Sequence, residues 1–345
     1  MRFLSRRNFL KSTSLAGFSL FIFPPLNSRE LKNSSDDFIL KPKKLQRGDK
    51  IAITAPGGAI WEPDTILRFE ELLKKMGYSV VLGGTLTKKY GYLAGTDEER
   101  AQELTNFFLD STINGIIAMR GGWGCARLLD KIDYSIIRSN PKFFMGFSDV
   151  SSLLNALFIR AGLVTFHGLV GVNSWNQFST NIFKNIVCST HNYSFPLDEI
   201  LTKNFITIND GIAQGKLIGG NLSVISGIVG STYFQLPEET ILFLEEINEE
   251  PYVVDRLLTH LKIAGVYKNV KGIIFGSCFK CIAEKPHESM LIIDVVKEHF
   301  ANLKIPVSYG SPIGHEASKW TLPIGINVEM NAGNGSLKLL ESAVI

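Results

Sequence analysis

Residues 142–158 read KFFMGFSDVSSLLNALF, and the two halves of this stretch follow different periods. Residues 142–147 read as a short strand, largely aromatic and apolar after Lys142, the composition of a buried one. Beyond Ser148 and Asp149, apolar residues return at Val150, Leu153, Leu154, Leu157 and Phe158, at spacings of 3, 1, 3 and 1 that line one face of an α-helix. A strand that becomes a helix within two residues is half of a strand–helix–strand unit. The residues between the halves then sit at the carboxyl end of a sheet.

The same alternation runs through the preceding sequence. Residues 50–55 read as a strand, Pro56-Gly57-Gly58 as a turn, and Ile66, Phe69, Leu72, Leu73 and Met76 as the apolar face of a helix that Gly77 ends. Residues 78–82 and 113–119 are two further strands. Between them Thr96 and Glu99 form a capping box for a helix faced by Ala101, Leu104, Phe107 and Phe108. Strands separated by helices pair in parallel, so an α/β fold with a doubly wound sheet of flavodoxin or Rossmann type is expected, its functional residues just beyond the strand ends.

At 345 residues the chain is long for one hydrophobic core. The polar stretch 173–209, of weak periodicity, reads as the crossing to a second domain, with the boundary near residue 205. Strands are expected at 215–218, 241–245 and 272–276, and a helix carries Val254, Leu257, Leu258 and Leu261. The predicted organisation is an export signal at 1–28, a linker at 29–44, an α/β domain at 45–205, and a smaller mixed α+β domain at 206–345.

The amino terminus is set apart by Ser5-Arg6-Arg7-Asn8-Phe9-Leu10-Lys11, followed by an apolar run over 15–23 that Pro24 and Pro25 stop. This is the pattern of a twin-arginine export signal, and a membrane span needs about twice that apolar length. A periplasmic protein with no stable membrane anchor after cleavage is therefore expected. The segment holds four cations and no acid, so its removal takes a net charge of +3 to −1. No basic face remains to bind nucleic acid, and a peptide or small-molecule substrate is expected instead.

Several residues beyond the strand ends invite chemistry. Ser148 stands where a nucleophile elbow would hold its oxygen clear of the sheet, and equally where a helix N-cap would stand. Arg120-Gly121-Gly122-Trp123-Gly124 follows a strand; its N–H groups suit a developing oxyanion, or its glycines simply turn the chain. Neither G-x-G-x-x-G nor a Walker pattern is present. Arg120 offers a positive charge to a substrate carboxylate. His167 and His315 are the two histidines in positions to act as a base, and Glu245 and Glu246 close an apolar strand where a carboxylate must pair or work. Four cysteines are too few for a disulfide scaffold; Cys278 and Cys281 lack the helix start of a redox C-x-x-C and read as fillers or an incidental disulfide. No ligand set for a metal is spaced along the chain, and no cofactor is expected.

Five blocks then occur in order: Gly91-Tyr92-Leu93-Ala94-Gly95-Thr96, Arg120-Gly121-Gly122-Trp123-Gly124, Gly146-Phe147-Ser148-Asp149, Ile218-Gly219-Gly220-Asn221-Leu222 and Gly314-His315. Together they resemble the LD-carboxypeptidase family, which also includes the microcin C immunity peptidases, over residues 45–331. The resemblance implies Ser148 as nucleophile, His315 as base and Glu245 as its orienting carboxylate. It further implies an oxyanion site from the N–H groups of Gly122 and Asp149, substrate contacts from Arg120 and Asn221, a murein tetrapeptide as substrate with loss of its terminal D-alanine, no cofactor, and a homodimer. Trp123 departs from the family's usual tyrosine, and an export signal departs from its usual cytoplasmic address. The alternatives are an amidase acting on a peptide–nucleotide antibiotic and a muropeptide-binding protein without turnover.

Overall fold

In the computed structural model residues 39–196 and 204–345 are described. The export signal and most of the linker anticipated from sequence lie outside them. The first sheet takes its parallel strands from β1 (Lys50–Thr54), β2 (Ser79–Leu82), β3 (Gly115–Ala118), β4 (Phe143–Gly146) and β5 (Thr165–His167), in the spatial order 2-1-3-4-5. That order is the flavodoxin-like doubly wound one, so the strands' carboxyl ends share a single edge. Helices α1 (Asp64–Lys75), α2 (Asp97–Leu109), α3 (Tyr134–Ser139) and α4 (Ser151–Ala161) make the crossovers. The capping box at α2 forms as its sequence predicts, Thr96 and Glu99 satisfying each other's backbone N–H groups. Strands β3 and β4 are wholly buried, which explains their unbroken apolar composition.

After α5 (Gln177–Val187) the chain builds a second sheet from β6 (Ile206–Asn209), β7 (Ile212–Asn221), β8 (Thr240–Ile247), β9 (Val270–Phe279), β10 (Val307–Tyr309), β12 (Asn327–Asn331) and β13 (Ser336–Leu339), in the order 13-12-7-8-9-10-6. Strands β7 to β10 run parallel and the flanking ones antiparallel. Helices α6 (Leu222–Ser226), α7 (Pro251–Ile263) and α8 (Ile292–Phe300) complete this mixed layer.

Both sheets belong to one compact unit with one apolar cluster. Strand β11 (Leu322–Ile324) leaves the carboxyl-terminal segment and pairs antiparallel with β5, closing the first sheet. This return was not read from the sequence, since three residues are too few to show a period. Its consequence is positional. The loop before β11, which carries His315, is drawn against the carboxyl end of β4.

Candidate active site

Strand β4 ends at Gly146, and Ser148 then takes φ +59, a value few residues other than glycine adopt. Two glycines make the turn possible. A Cβ on Gly146 would lie 2.2 Å from Val150 Cγ1, and one on Gly121 would lie 2.8 Å from the Phe147 carbonyl and 2.9 Å from Ser148 Cβ. The elbow is therefore pressed against the glycine-rich loop after β3, which also binds Gly58 N–H through the Gly121 carbonyl at 3.1 Å. Of the two readings open for Ser148, the N-cap one has no support, because the cap positions of the short turn and of the helix after it fall on Phe147 and Val150, and Ser148 is the first residue of the turn.

The Asp149 N–H lies in the first turn of the helix that follows, where donors lack partners within the helix. Among the described residues the Gly122 N–H has no acceptor either. The Asp149 side chain has separate work that the sequence did not disclose. Its buried carboxylate accepts the Cys125 N–H at 2.8 Å, tying elbow to loop, and burial raises its pKa. A second missed residue is Arg100, fully buried beneath the loop. Its guanidinium donates to the carbonyls of Pro56 at 2.5 Å, Gly124 at 3.0 Å and Gly95 at 3.3 Å, and pairs with Asp97. One side chain thus fixes three loops at the strand ends. An arginine within an amphipathic helix carries no sequence signal for that.

Opposite the elbow, Glu245 near the end of β8 is fully buried and its Oε2 meets His315 Nδ1 at 2.8 Å. His315 is held from both sides: the Ile313 carbonyl accepts the Ser277 N–H at 2.8 Å, and the Pro312 carbonyl accepts the Trp320 N–H at 2.8 Å. The His315 ring lies 4.6 Å from the ring of Phe147, the neighbour of Ser148. The structure thus brings His315 to the elbow, while among the described residues the Ser148 hydroxyl has no hydrogen bond to it.

Glu246, the adjacent carboxylate, points into a different environment. It accepts hydrogen bonds from Asn221 Nδ2 at 3.0 Å, Ser223 N at 2.8 Å, Ser223 Oγ at 2.7 Å and Ile247 N at 2.8 Å. Asn221 spends its other polar atom on the α6 cap, accepting from Val224 N at 3.1 Å. That commits most of the side chain expected to touch substrate. Arg120 is half-buried and donates to the Ala59 carbonyl at 3.1 Å. His167, the competing base, is buried between Phe147 and Phe243, with ring centroids 4.9 and 5.2 Å away, and burial pulls its pKa to about 4. Among the described residues it has no hydrogen bond to a carboxylate. Cys278 and Cys281 are joined as a disulfide at the end of β9. Among the described residues no three His, Cys, Asp or Glu side chains are grouped to hold a metal.

Residues 51–168 match the LD-carboxypeptidase N-terminal domain and residues 214–330 the LD-carboxypeptidase C-terminal domain. The chain belongs to the LD-carboxypeptidase family. It is accordingly a peptidase, a hydrolase of the carboxypeptidase kind. It is 33% identical to the "Probable murein peptide carboxypeptidase" of Bacillus subtilis (strain 168) over 299 residues, covering 84% of this chain and 91% of that one. Among solved structures, the microcin C7 self-immunity protein MccF, known from Escherichia coli, superposes with a TM-score of 0.81 at 27% identity over 89% of this chain and all of that one. The muramoyltetrapeptide carboxypeptidase from Oxalobacter formigenes superposes with a TM-score of 0.74 at 28% identity, over 84% of this chain and 97% of that one. The first match covers nearly all of β1 to β5, and the second covers β8, β9, β10 and β11 and most of β7 and β12.

Proposed function

We propose that this LD-carboxypeptidase chain is a serine peptidase that releases the terminal D-alanine of murein tetrapeptide stems. The observation that carries the reading is the 2.8 Å bond between Glu245 and His315 beside a serine held at φ +59 on a strand-to-helix elbow. Ser148 Oγ attacks the carbonyl carbon of the third stem residue while His315 Nε2 takes the hydroxyl proton. Charge gathers on the carbonyl oxygen, and the Gly122 and Asp149 N–H groups receive it. The C–N bond breaks, His315 returns the proton to the departing amine of D-alanine, and the tripeptide is left as an ester of Ser148. Water, its proton taken by His315, hydrolyses that ester and frees Ser148. Glu245 holds the imidazole in the tautomer with Nδ1–H toward the carboxylate, which leaves Nε2 open as acceptor. Arg120 suits the terminal carboxylate of the substrate.

A second reading has one specific support. The superposed MccF structures include complexes with aspartyl sulfamoyl adenosine and with glutamyl sulfamoyl guanosine. An amidase acting on an aminoacyl nucleotide would use the same three residues. Incubating the purified protein, with EDTA present throughout, with murein tetrapeptide and separately with aspartyl sulfamoyl adenosine separates the two. Release of D-alanine supports the first reading, cleavage of only the nucleotide conjugate supports the second, and cleavage of neither defeats both. Twin-arginine export belongs to the same proposal. Changing Arg6 and Arg7 together to lysine is expected to leave folded enzyme in the cytoplasm, and unchanged periplasmic recovery would count against that address.

A further inference from the structure

On the Phe147 ring that His315 also meets lies a lysine that the chemistry above leaves unused. Lys319 is 2% exposed, and its Nζ sits 4.0 Å from the centre of the Phe147 ring. Among the described residues this nitrogen has no ion pair and no hydrogen bond. Lysines are rarely this deeply buried without a charged partner. The backbone leaves it little choice of place: the Lys319 N–H donates to buried Ser179 Oγ at 2.9 Å, and Asn176 Nδ2 holds the preceding Ala317 carbonyl at 3.0 Å and Ser318 Oγ at 2.9 Å. The loop that delivers His315 also delivers Lys319, and both side chains come to rest on one aromatic ring.

Glu245 supplies the complementary vacancy. Its Oε2 is bonded to His315, but its Oε1 is buried with no hydrogen-bond partner among the described residues. The charges that face Lys319 are the Glu245 carboxylate from β8 and the Glu316 carboxylate from its own loop. The His167 ring, from β5, has a buried, unpartnered Nε2 and shares the Phe147 ring. Burial keeps it neutral, so it contributes no charge. A buried carboxylate with one hydrogen bond and no cation nearby would draw a proton onto His315 and hold it there. An imidazolium is unable to take the proton of Ser148.

We propose that Lys319 is a positioning residue of the catalytic unit: seated on the Phe147 ring, its ammonium is the fixed counter-charge of the Glu245 carboxylate and keeps His315 in its neutral, proton-accepting form. The inference rests on the reading of His315 as the base for Ser148. Burial pulls the Lys319 ammonium down to about 8, against the pull of the two carboxylates, so its charge is lost just above neutrality.

The test is an NMR titration of the His315 imidazole in Ser148→Ala protein carrying Lys319, Lys319→Met or Lys319→Arg. Removal of the ammonium in Lys319→Met is expected to raise the His315 midpoint by about one pH unit, and Lys319→Arg to restore it, because an opposing charge at this range shifts a titration by that much. In the protein retaining Lys319 a second, smaller inflection of the His315 signal is expected near pH 8, absent from both variants. That inflection tests the proposal even where Lys319→Met fails to fold. An unmoved midpoint in Lys319→Met, or no inflection with Lys319 present, overturns it. The acid limb of kcat/KM in protein with Ser148 intact should move with the NMR midpoint while KM stays constant. If the imidazole shifts and the limb does not, the counter-charge stands and it is His315 as base that fails.

Discussion

At the end of β4 the chain turns against the glycine-rich loop after β3, and what the proposed mechanism draws on there is mostly backbone: the Gly122 and Asp149 N–H groups and one hydroxyl lifted by a positive φ. At the end of β8 the backbone is ordinary strand, and what gathers there is side chains: a buried carboxylate, the imidazole hydrogen-bonded to it, and a buried lysine on the Phe147 ring that the imidazole also meets. The two ends have different tolerances. The first is built on absent atoms, so a Cβ added at Gly121 collides with main chain and one added at Gly146 collides with the Val150 side chain. The second is built on charge, so isosteric changes that keep the shape still change the chemistry. Glu245 and Glu246 show this within one dipeptide. Glu246 has four hydrogen bonds and ties β8 to the start of α6, whereas Glu245 has one and faces His315.

The largest effects are expected where the two ends meet. Ser148→Ala and His315→Ala should each lower kcat by roughly 10⁶-fold, with the double variant costing little more, because groups that act as one unit lose their function together. Losses that multiplied in the double variant would show that the strand ends work separately. Glu245→Gln preserves the shape and removes the charge, and should cost roughly 10⁴-fold, less than loss of either partner. Equal rates for Glu245→Gln and its parent would reduce the β8 end to scaffolding. Gly121→Ala probes the other end while leaving every proposed reacting side chain in place. Its Cβ would stand 3.0 Å from the Asp149 N–H and push the elbow off its position, at a cost of roughly 10²-fold in kcat with the fold kept. A melting temperature that collapsed along with kcat would mean that Gly121 serves the core and not the elbow.

The same contrast explains what could be read from sequence. Residues 142–158 disclosed strand, turn and helix because period and composition change within the stretch, and the capping box of α2 was visible because both its partners lie within one turn. Glu245 stood out as a carboxylate ending an apolar strand, but periodicity did not distinguish it from Glu246, nor His315 from His167. Those choices depend on which elements pack together, and the element that decides them, β11, is three residues long. Arg100 and Lys319 were missed for a related reason. Each is a cation in unremarkable local sequence whose burial is imposed by loops distant along the chain. Asn221 was expected at the substrate from the resemblance; three-dimensional contacts show its amide engaged with Glu246 and the α6 cap.

His167 stands at the seam, its ring between Phe147 of the β4 end and Phe243 of β8, and gives the smallest and most specific expectation. Burial lowers its pKa from 6.5 to about 4, so between those values the unfolded chain binds a proton that the folded protein refuses. Stability that this histidine leaves intact above pH 6.5 is lost progressively as pH falls, and the loss is complete below pH 4. At pH 5.5 it should amount to about 1.4 kcal/mol relative to pH 7.5. Asp149 and Glu246 act in the opposite sense, since burial raises their pKa and folding then favours their protonated forms as pH falls. Total stability therefore mixes the contributions, and a difference is needed. His167→Phe keeps an aromatic ring in the seam and removes the proton site. Urea denaturation at pH 7.5 and 5.5 should show the parent losing about 1.4 kcal/mol more than His167→Phe over that interval. Parallel losses in the two proteins would mean that His167 accepts its proton inside the fold, and that the seam between the two strand ends is wetter than its packing implies.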